Sequence, residues 1–136
     1  VTPVMLTGDN QRAADYIAQK VGIKEAYGAL LPEQKSELIE KLQARYQRVA
    51  MVGDGVNDAP SLARADVGIA MGGGGSDVAI ETADVTLMND AIGTIPYLLG
   101  VGQQTFRVVR QNVYGSLIVK GVILVLGIAG VIGLSV

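Results

Sequence analysis

The chain has 136 residues, 49% hydrophobic and 18% charged, with a formal net charge of -2, so its length allows one domain with a modest core. It contains no Cys, His or Trp, which removes disulfide frameworks, Cys/His metal sites, Ser-His-Asp triads and thiol nucleophiles. Its 11 basic and 13 acidic side chains leave no electrostatic footprint for nucleic acid. A mean hydropathy of +0.36 and a charged fraction below the roughly 25% usual in soluble domains indicate that water does not solvate the whole chain.

Residues 1–90 alternate short apolar runs with amphipathic stretches. Val4-Met5-Leu6 reads as a strand, followed by a helix pattern through Ala13, Ala14, Ile17 and Val21 and a second through Leu31, Leu38, Ile39, Leu42 and Tyr46. Val49-Ala50-Met51-Val52 is the next strand, ended by Gly53-Asp54-Gly55. Asp58 is placed to cap a short helix with Pro60 in its first turn, and Val67-Gly68-Ile69-Ala70 is another strand. A helix pattern from Asp77 to Thr82 and a strand over Val85-Thr86-Leu87-Met88 follow. Strands separated by helices imply βαβ units and a parallel sheet with right-handed crossovers. No internal repeat or low-complexity linker is visible.

From Val113 to Val136 the only charged side chain is that of Lys120. A stretch of this length crosses roughly 30 Å of hydrocarbon as a helix. Arg107 and Arg110 stand just before it and nothing basic follows it, which by the positive-inside rule places residues 1–112 in the cytoplasm. The alternative is a buried core helix, against which stands the small mass available to cover it. The expected organisation is therefore a sheet unit over 1–90, a helical connector over 91–112 and a transmembrane helix over 113–136.

In an open parallel sheet the ligand lies beyond the carboxyl ends of the strands. Thr7-Gly8-Asp9 follows the first strand, and its glycine lets backbone N–H groups turn toward an anionic oxygen. An ordinary turn with Asp9 or Asn10 as helix cap explains that tripeptide equally well. Gly53-Asp54-Gly55-Val56-Asn57-Asp58 is more specific. Asp54 comes directly off a strand and Asp58 returns four residues later, so both carboxylates can face one crevice. Two close carboxylates repel unless a cation lies between them. Mg²⁺, held by one or two carboxylates with phosphate and water completing its shell, fits, and Asn57 is placed to donate to a phosphate oxygen. In the alternative, Asp54 bonds the loop backbone and Asp58 only caps. Lys35 falls in the first turn of a helix, where the dipole disfavours a cation unless a phosphoryl group is near; a solvated surface lysine is the other reading. Gly72 to Gly75 with Ser76 and Asp77 form a loop at another strand end, without the Lys-Ser/Thr ending of a P-loop. The set describes phosphoryl chemistry with Mg²⁺. Aspartyl-phosphate enzymes also need a nucleophilic carboxylate on another strand end, and no remaining Asp or Glu is placed for it.

Met5-Leu6-Thr7-Gly8-Asp9-Asn10, Pro32-Glu33-Gln34-Lys35, Met51 through Pro60 and Ala65 through Gly72 together resemble the second half of the phosphorylation domain of a P-type ATPase. Glu81-Thr82-Ala83-Asp84-Val85 and Arg110-Gln111-Asn112 extend the resemblance over essentially the whole chain. It implies a partial Rossmann-like parallel sheet of the haloacid dehalogenase type, followed by a C-terminal transmembrane helix. It further implies that Thr7 and Gly8 hold the phosphoryl group, Asp9 supports that loop, Lys35 neutralises phosphoryl oxygens, and Asp54 binds Mg²⁺ with Asp58 and Asn57 completing the site. In that family ATP is the substrate and an Asp in an Asp-Lys-Thr-Gly-Thr motif accepts its γ-phosphate. This sequence holds neither that motif nor the nucleotide-binding, actuator and earlier transmembrane segments. The resemblance thus implies the C-terminal part of a longer plasma-membrane pump, unable to hydrolyse ATP by itself.

Met71 through Asp77 and the intramembrane Lys120 resemble the heavy-metal branch, and within it the zinc, cadmium and lead exporters; copper pumps usually carry an Asn-Tyr pair in this helix. A lysine inside a membrane is costly and usually pairs with a carboxylate on another helix, while a lysine near the interface snorkels out. Two further readings are a membrane-tethered phosphate- or Mg²⁺-binding module and a dehalogenase-type phosphatase. The lack of a placed nucleophile argues against the phosphatase.

Overall fold

In a computed structural model the described residues are 1–73, 76–88 and 91–130, and the chain divides into two compact units, Val1–Ala91 and Ile92–Val136. Gly74 and Gly75 of the expected glycine loop, and residues 131–136 of the expected transmembrane stretch, lie outside the described residues.

The first unit runs β1 (Val4–Leu6), α1 (Gln11–Val21), β2 (Glu25–Tyr27), α2 (Pro32–Tyr46), β3 (Ala50–Gly53), a 3-10 turn (Val56–Asp58), α3 (Ala59–Arg64), β4 (Val67–Met71), α4 (Asp77–Thr82) and β5 (Val85–Leu87). Every strand pair is parallel, as the alternation of strands and helices requires. The pairing falls into two hydrogen-bonded groups, β1-β2 and β3-β4-β5, where a single sheet was expected. Ile39, Met51, Leu62, Ala70 and Ala79 form the core between the three-stranded group and its helices.

Helix ends follow local chemistry. The Asn10 side chain accepts from the Ala13 N–H at 2.9 Å to start α1, and Gly22 ends that helix at a φ of 77°, in the left-handed region that glycine adopts freely. Pro32 opens α2, and the Gln34 side chain reaches back to accept the Leu31 N–H at 2.9 Å. β2 is not anticipated by the apolar pattern, because Glu-Ala-Tyr has no alternation to read. Side chains hold it instead. The Gln11 amide accepts from Gly28 N–H at 2.6 Å and donates to Ala26 C=O at 3.0 Å, standing in for a neighbouring strand. Glu25 receives the Tyr27 hydroxyl at 2.6 Å, Arg45 at 2.9 Å and the Tyr46 hydroxyl at 3.1 Å. The Tyr27 bond is the main reason the Glu25 carboxyl lies below its ordinary value.

Two aspartates pin the three-stranded group. Ahead of β4, Asp66 donates its own N–H to Val49 C=O at 2.9 Å and accepts the Val49 N–H on its carboxylate at 2.8 Å. Ahead of β5, Asp84 does the same to Gly68, at 2.9 and 2.8 Å. The tripeptide Ala-Asp-Val thus recurs, at 65–67 and 83–85, as one strand-entry device used twice. This is a repetition too short to register as a sequence repeat. Gly68 is required beside it, since a Cβ there would meet the Leu62 carbonyl oxygen at 2.8 Å.

In the second unit a 3-10 turn (Ile92–Thr94) leads into α5 (Ile95–Ile128), 34 residues and about 51 Å long. α5 runs unbroken through the expected junction at 112/113, carries no Asp or Glu, and is long and apolar enough to cross a membrane.

Asp84→Ala should remove the bond to Gly68 and cost about 1.5 kcal/mol, read as roughly tenfold faster amide exchange at Gly68 in the full chain in detergent. The Val49 N–H, and after it the Gln43 amide, hold the Asp66 carboxyl below its ordinary value of 3.8. Because the folded value is depressed, the stabilisation is complete above pH 3.8 and is lost as the pH falls through the folded value. An acid unfolding titration of Asp66→Ala should show a shallower decline there than the parent chain. Ser61 is fully buried with no partner for its hydroxyl among the described residues, so Ser61→Ala should raise stability by about 1 kcal/mol in denaturant titrations.

Candidate functional site

The polar residues collect where the strands end. Thr7, one residue past β1, donates its N–H to Tyr27 C=O at 2.9 Å, continuing the β1-β2 ladder. Its hydroxyl accepts the Asp9 N–H at 3.1 Å and donates to the Asp9 carboxylate at 3.3 Å. The loop is closed from the far side: Leu30 N–H bonds Thr7 C=O at 3.1 Å, and Ala29 N–H bonds Asp9 C=O. Ala29 takes a φ of 53° to make that bond, a conformation that costs an L-residue about 1–2 kcal/mol. The helix cap is Asn10, so Asp9 is left facing the loop. Gly8 and Asp9 are exposed.

Asp54 is the first residue beyond β3. Its carbonyl accepts the Ser76 N–H at 2.9 Å, while its exposed carboxylate makes no hydrogen bond or ion pair among the described residues. Asp58 stands at the start of α3, but its carboxylate does not cap that helix. It turns instead to Lys35, whose ammonium donates at 2.7 Å, and it also accepts the Gly55 N–H at 3.4 Å. Lys35 lies in the first turn of α2, and the two side chains are only 14% and 13% exposed. Gly53 makes room for this arrangement, because a Cβ there would fall 2.7 Å from the Asp58 Cβ. Asn57 is exposed on the intervening 3-10 turn.

Of the residues singled out from sequence, Lys35 and Asp58 are therefore joined, Thr7 and Asp9 are joined, and the Asp54 carboxylate makes no bond among the described residues. No hydrogen bond or ion pair links the Thr7–Asp9 loop to Lys35, Asp54 or Asp58 among the described residues. Lys120 belongs to α5 in the second unit. No group of three or more acidic side chains among the described residues is set to hold a metal ion. A hard carboxylate oxygen at a strand end nevertheless suits Mg²⁺, which keeps water and phosphate as its other ligands. Lys35 neutralises Asp58, so Asp54 is the carboxylate left to attract a cation. Gln11 and Ala29, which shape the loops behind the site, carry no signal in the residue pattern. The need for Gly53 is legible only as a glycine beside an aspartate.

A parallel α/β unit whose acidic residues stand at the carboxyl edge of its strands is Rossmann-like, with its ligand site expected at that edge. The haloacid dehalogenase-like hydrolase profile matches residues 1–66, and a second profile of that description matches 34–99. The two matches together place residues 1–99 in this superfamily, and the relatives that the chain resembles over most of its own length are metal-transporting P-type ATPases. It is 50% identical over 127 residues to a probable cadmium-transporting ATPase of Listeria monocytogenes, covering 93% of this chain and 18% of that one. It is 50% identical over 116 residues to a probable copper-importing P-type ATPase A of Enterococcus hirae, covering 84% of this chain and 16% of that one. A crystal structure of a zinc-transporting PIB-type ATPase in the E2.Pi state superposes with a TM-score of 0.89 at 43% identity, covering 96% of this chain and 21% of the other. The chain thus spans about a fifth of the length of the relatives it matches.

Lys35→Met should cost about 2 kcal/mol by leaving the half-buried Asp58 carboxylate without its cation. Adding Asp58→Asn should then cost less than the two single changes summed, measured by denaturant unfolding of the full chain in mild detergent. Additive costs would show that the two groups are not coupled.

Proposed function

We propose that this chain supplies the Mg²⁺- and phosphoryl-binding part of the phosphorylation site of an ATP-driven heavy-metal exporter, together with a helix that crosses the membrane. The observation that carries the reading is the Lys35–Asp58 ion pair beside an unbonded Asp54 at the carboxyl edge of β3. Residues 1–91 are the phosphorylation unit, and α5 joins a cytoplasmic segment to a membrane segment beginning near Val113.

β1 has a strand partner on one side only, as has β3, among the described residues. A strand from the rest of the pump, carrying the acceptor aspartate, would use these edges and bring the missing nucleophile to the crevice. There Thr7 offers a hydroxyl and Gly8 a backbone N–H to phosphoryl oxygens. Lys35, released in part from Asp58, places its charge on a second oxygen. Asp54 is the carboxylate that holds Mg²⁺, with Asn57 and Asp58 at its flank. Bound Mg²⁺ would supply charge neutralisation of the transferring phosphoryl group. The nucleotide-binding, actuator and remaining transmembrane segments are the partners this requires.

Zinc, cadmium or lead is the favoured cargo, on Lys120 in the apolar stretch and on the cadmium- and zinc-transporting relatives. The copper reading rests on the copper-importing relative. Membranes containing the polypeptide that carries this segment should form an acid-stable phosphoenzyme from ATP and Mg²⁺, with Zn²⁺ or Cd²⁺ stimulating turnover. Asp54→Asn should lower phosphoenzyme at least about a hundredfold. Stimulation by Cu⁺ instead would select the copper reading. Phosphorylation indifferent to Mg²⁺ and to Asp54 would sink the proposal.

A further inference from the structure

α5 holds three cationic side chains, Arg107, Arg110 and Lys120, and no anionic one. Arg107 and Arg110 are three residues apart and lie on one face with Gln103, Phe106, Gln111 and Tyr114, within an arc of about 140° at 100° per residue. The Arg110 guanidinium sits 6.0 Å from the centre of the Tyr114 ring, so the tyrosine supports it from one turn further along. Phe106 and Tyr114 are 66% and 59% exposed. The apolar stretch begins at Val113, one turn beyond Arg110. Two guanidiniums, two carboxamides and two aromatic rings therefore share one face near the depth where water gives way to hydrocarbon. Aromatic rings prefer that depth, and guanidinium matches phosphate as a planar, multidentate donor.

We infer that Arg107 and Arg110, with Gln111 and Tyr114, form a headgroup site for an anionic phospholipid of the leaflet at the N-terminal end of the apolar stretch. The occupant is chosen by charge: this paired cationic face has no carboxylate on its helix and no ion-pair partner among the described residues. The phosphate of an anionic lipid supplies one without leaving the interface. The inference rests on the reading that α5 crosses the membrane.

The test uses the full chain in phosphatidylcholine vesicles doped with spin-labelled phosphatidylglycerol or spin-labelled phosphatidylcholine, with alkaline extraction as the check of insertion. The inserted chain should immobilise the anionic lipid preferentially, and the preference should fall as salt rises. Each of Arg107→Gln and Arg110→Gln should lower it by about fivefold, whereas Arg110→Lys should retain most of it. Lys24→Gln, which changes net charge by the same amount as either arginine substitution but far along the chain, should leave it unchanged. An inserted chain that treats the two lipids alike, or a preference that survives both glutamines, overturns the site and leaves the membrane reading standing. A chain removed by alkaline extraction overturns both. Free inorganic phosphate that competes at millimolar concentration would assign the face to a soluble anion and overturn the lipid assignment.

Discussion

The register of β3, β4 and β5 governs what stands at the carboxyl edge of the sheet, and Asp66 and Asp84 set it. These strands are three to five residues long, too short for side-chain pattern alone to choose among neighbouring alignments. A slip of one residue would turn every inward side chain outward. Each aspartate prevents that by gripping one residue of the adjoining strand with both its backbone N–H and its carboxylate. The two-point contact forces Ala50 opposite Val67 and Ile69 opposite Val85. Met51, Ile69 and Ala70 are thereby buried, and Asp54 emerges at the end of β3 rather than within it. Clamps at the amino edge of the sheet thus place the chemistry at its carboxyl edge.

At that edge, charge is apportioned by packing. Gly53 lets the Asp58 side chain lie against the end of β3, and from there it meets Lys35 on α2. A cation in the first turn of a helix is disfavoured by the dipole, so Lys35 gains from an anion nearby. Asp58 supplies it within a pocket that is mostly closed to water. The two acidic residues of the Gly-Asp-Gly-Val-Asn-Asp loop consequently differ in kind: one is half-buried and compensated, the other is exposed and uncompensated. In the proposed site an incoming phosphoryl group would change that balance, because it would offer Lys35 a second anion and Asp54 a reason to share a cation.

Much of this was legible in the residues. The apolar runs at Val4, Val49, Val67 and Val85 gave the strands to within a residue or two, and the glycines and aspartates after them marked the crevice. The burial periodicity of α2 placed Lys35 near its start. β2 was not legible, because its stability comes from the side chains of Gln11, Arg45 and Tyr46, distant in sequence. The partner of Asp58 was not legible either: the spacing in the loop allows a cap, a metal ligand or an ion pair, and the choice among them is made by a lysine 23 residues away. The repeated strand-entry aspartates are visible in retrospect as Ala-Asp-Val twice, but nothing local distinguishes them from surface aspartates.

The second unit follows a different constraint, since its helix is long and apolar enough to meet hydrocarbon and buries none of its residues. If Arg107, Arg110 and Tyr114 hold the headgroup level, the depth of everything beyond them is set by helix rise. Lys120 then lies six residues past Tyr114, about 9 Å further along the axis. Its four-carbon stem does not span that distance, so snorkelling back to the same interface does not relieve its charge. The far interface is no nearer, because some 30 Å of hydrocarbon must be crossed. A charge held at that depth requires a counter-charge or water supplied from another helix. The proposed anchor and the lysine are thus linked: fixing the helix at its arginines would oblige Lys120 to find its partner inside the membrane.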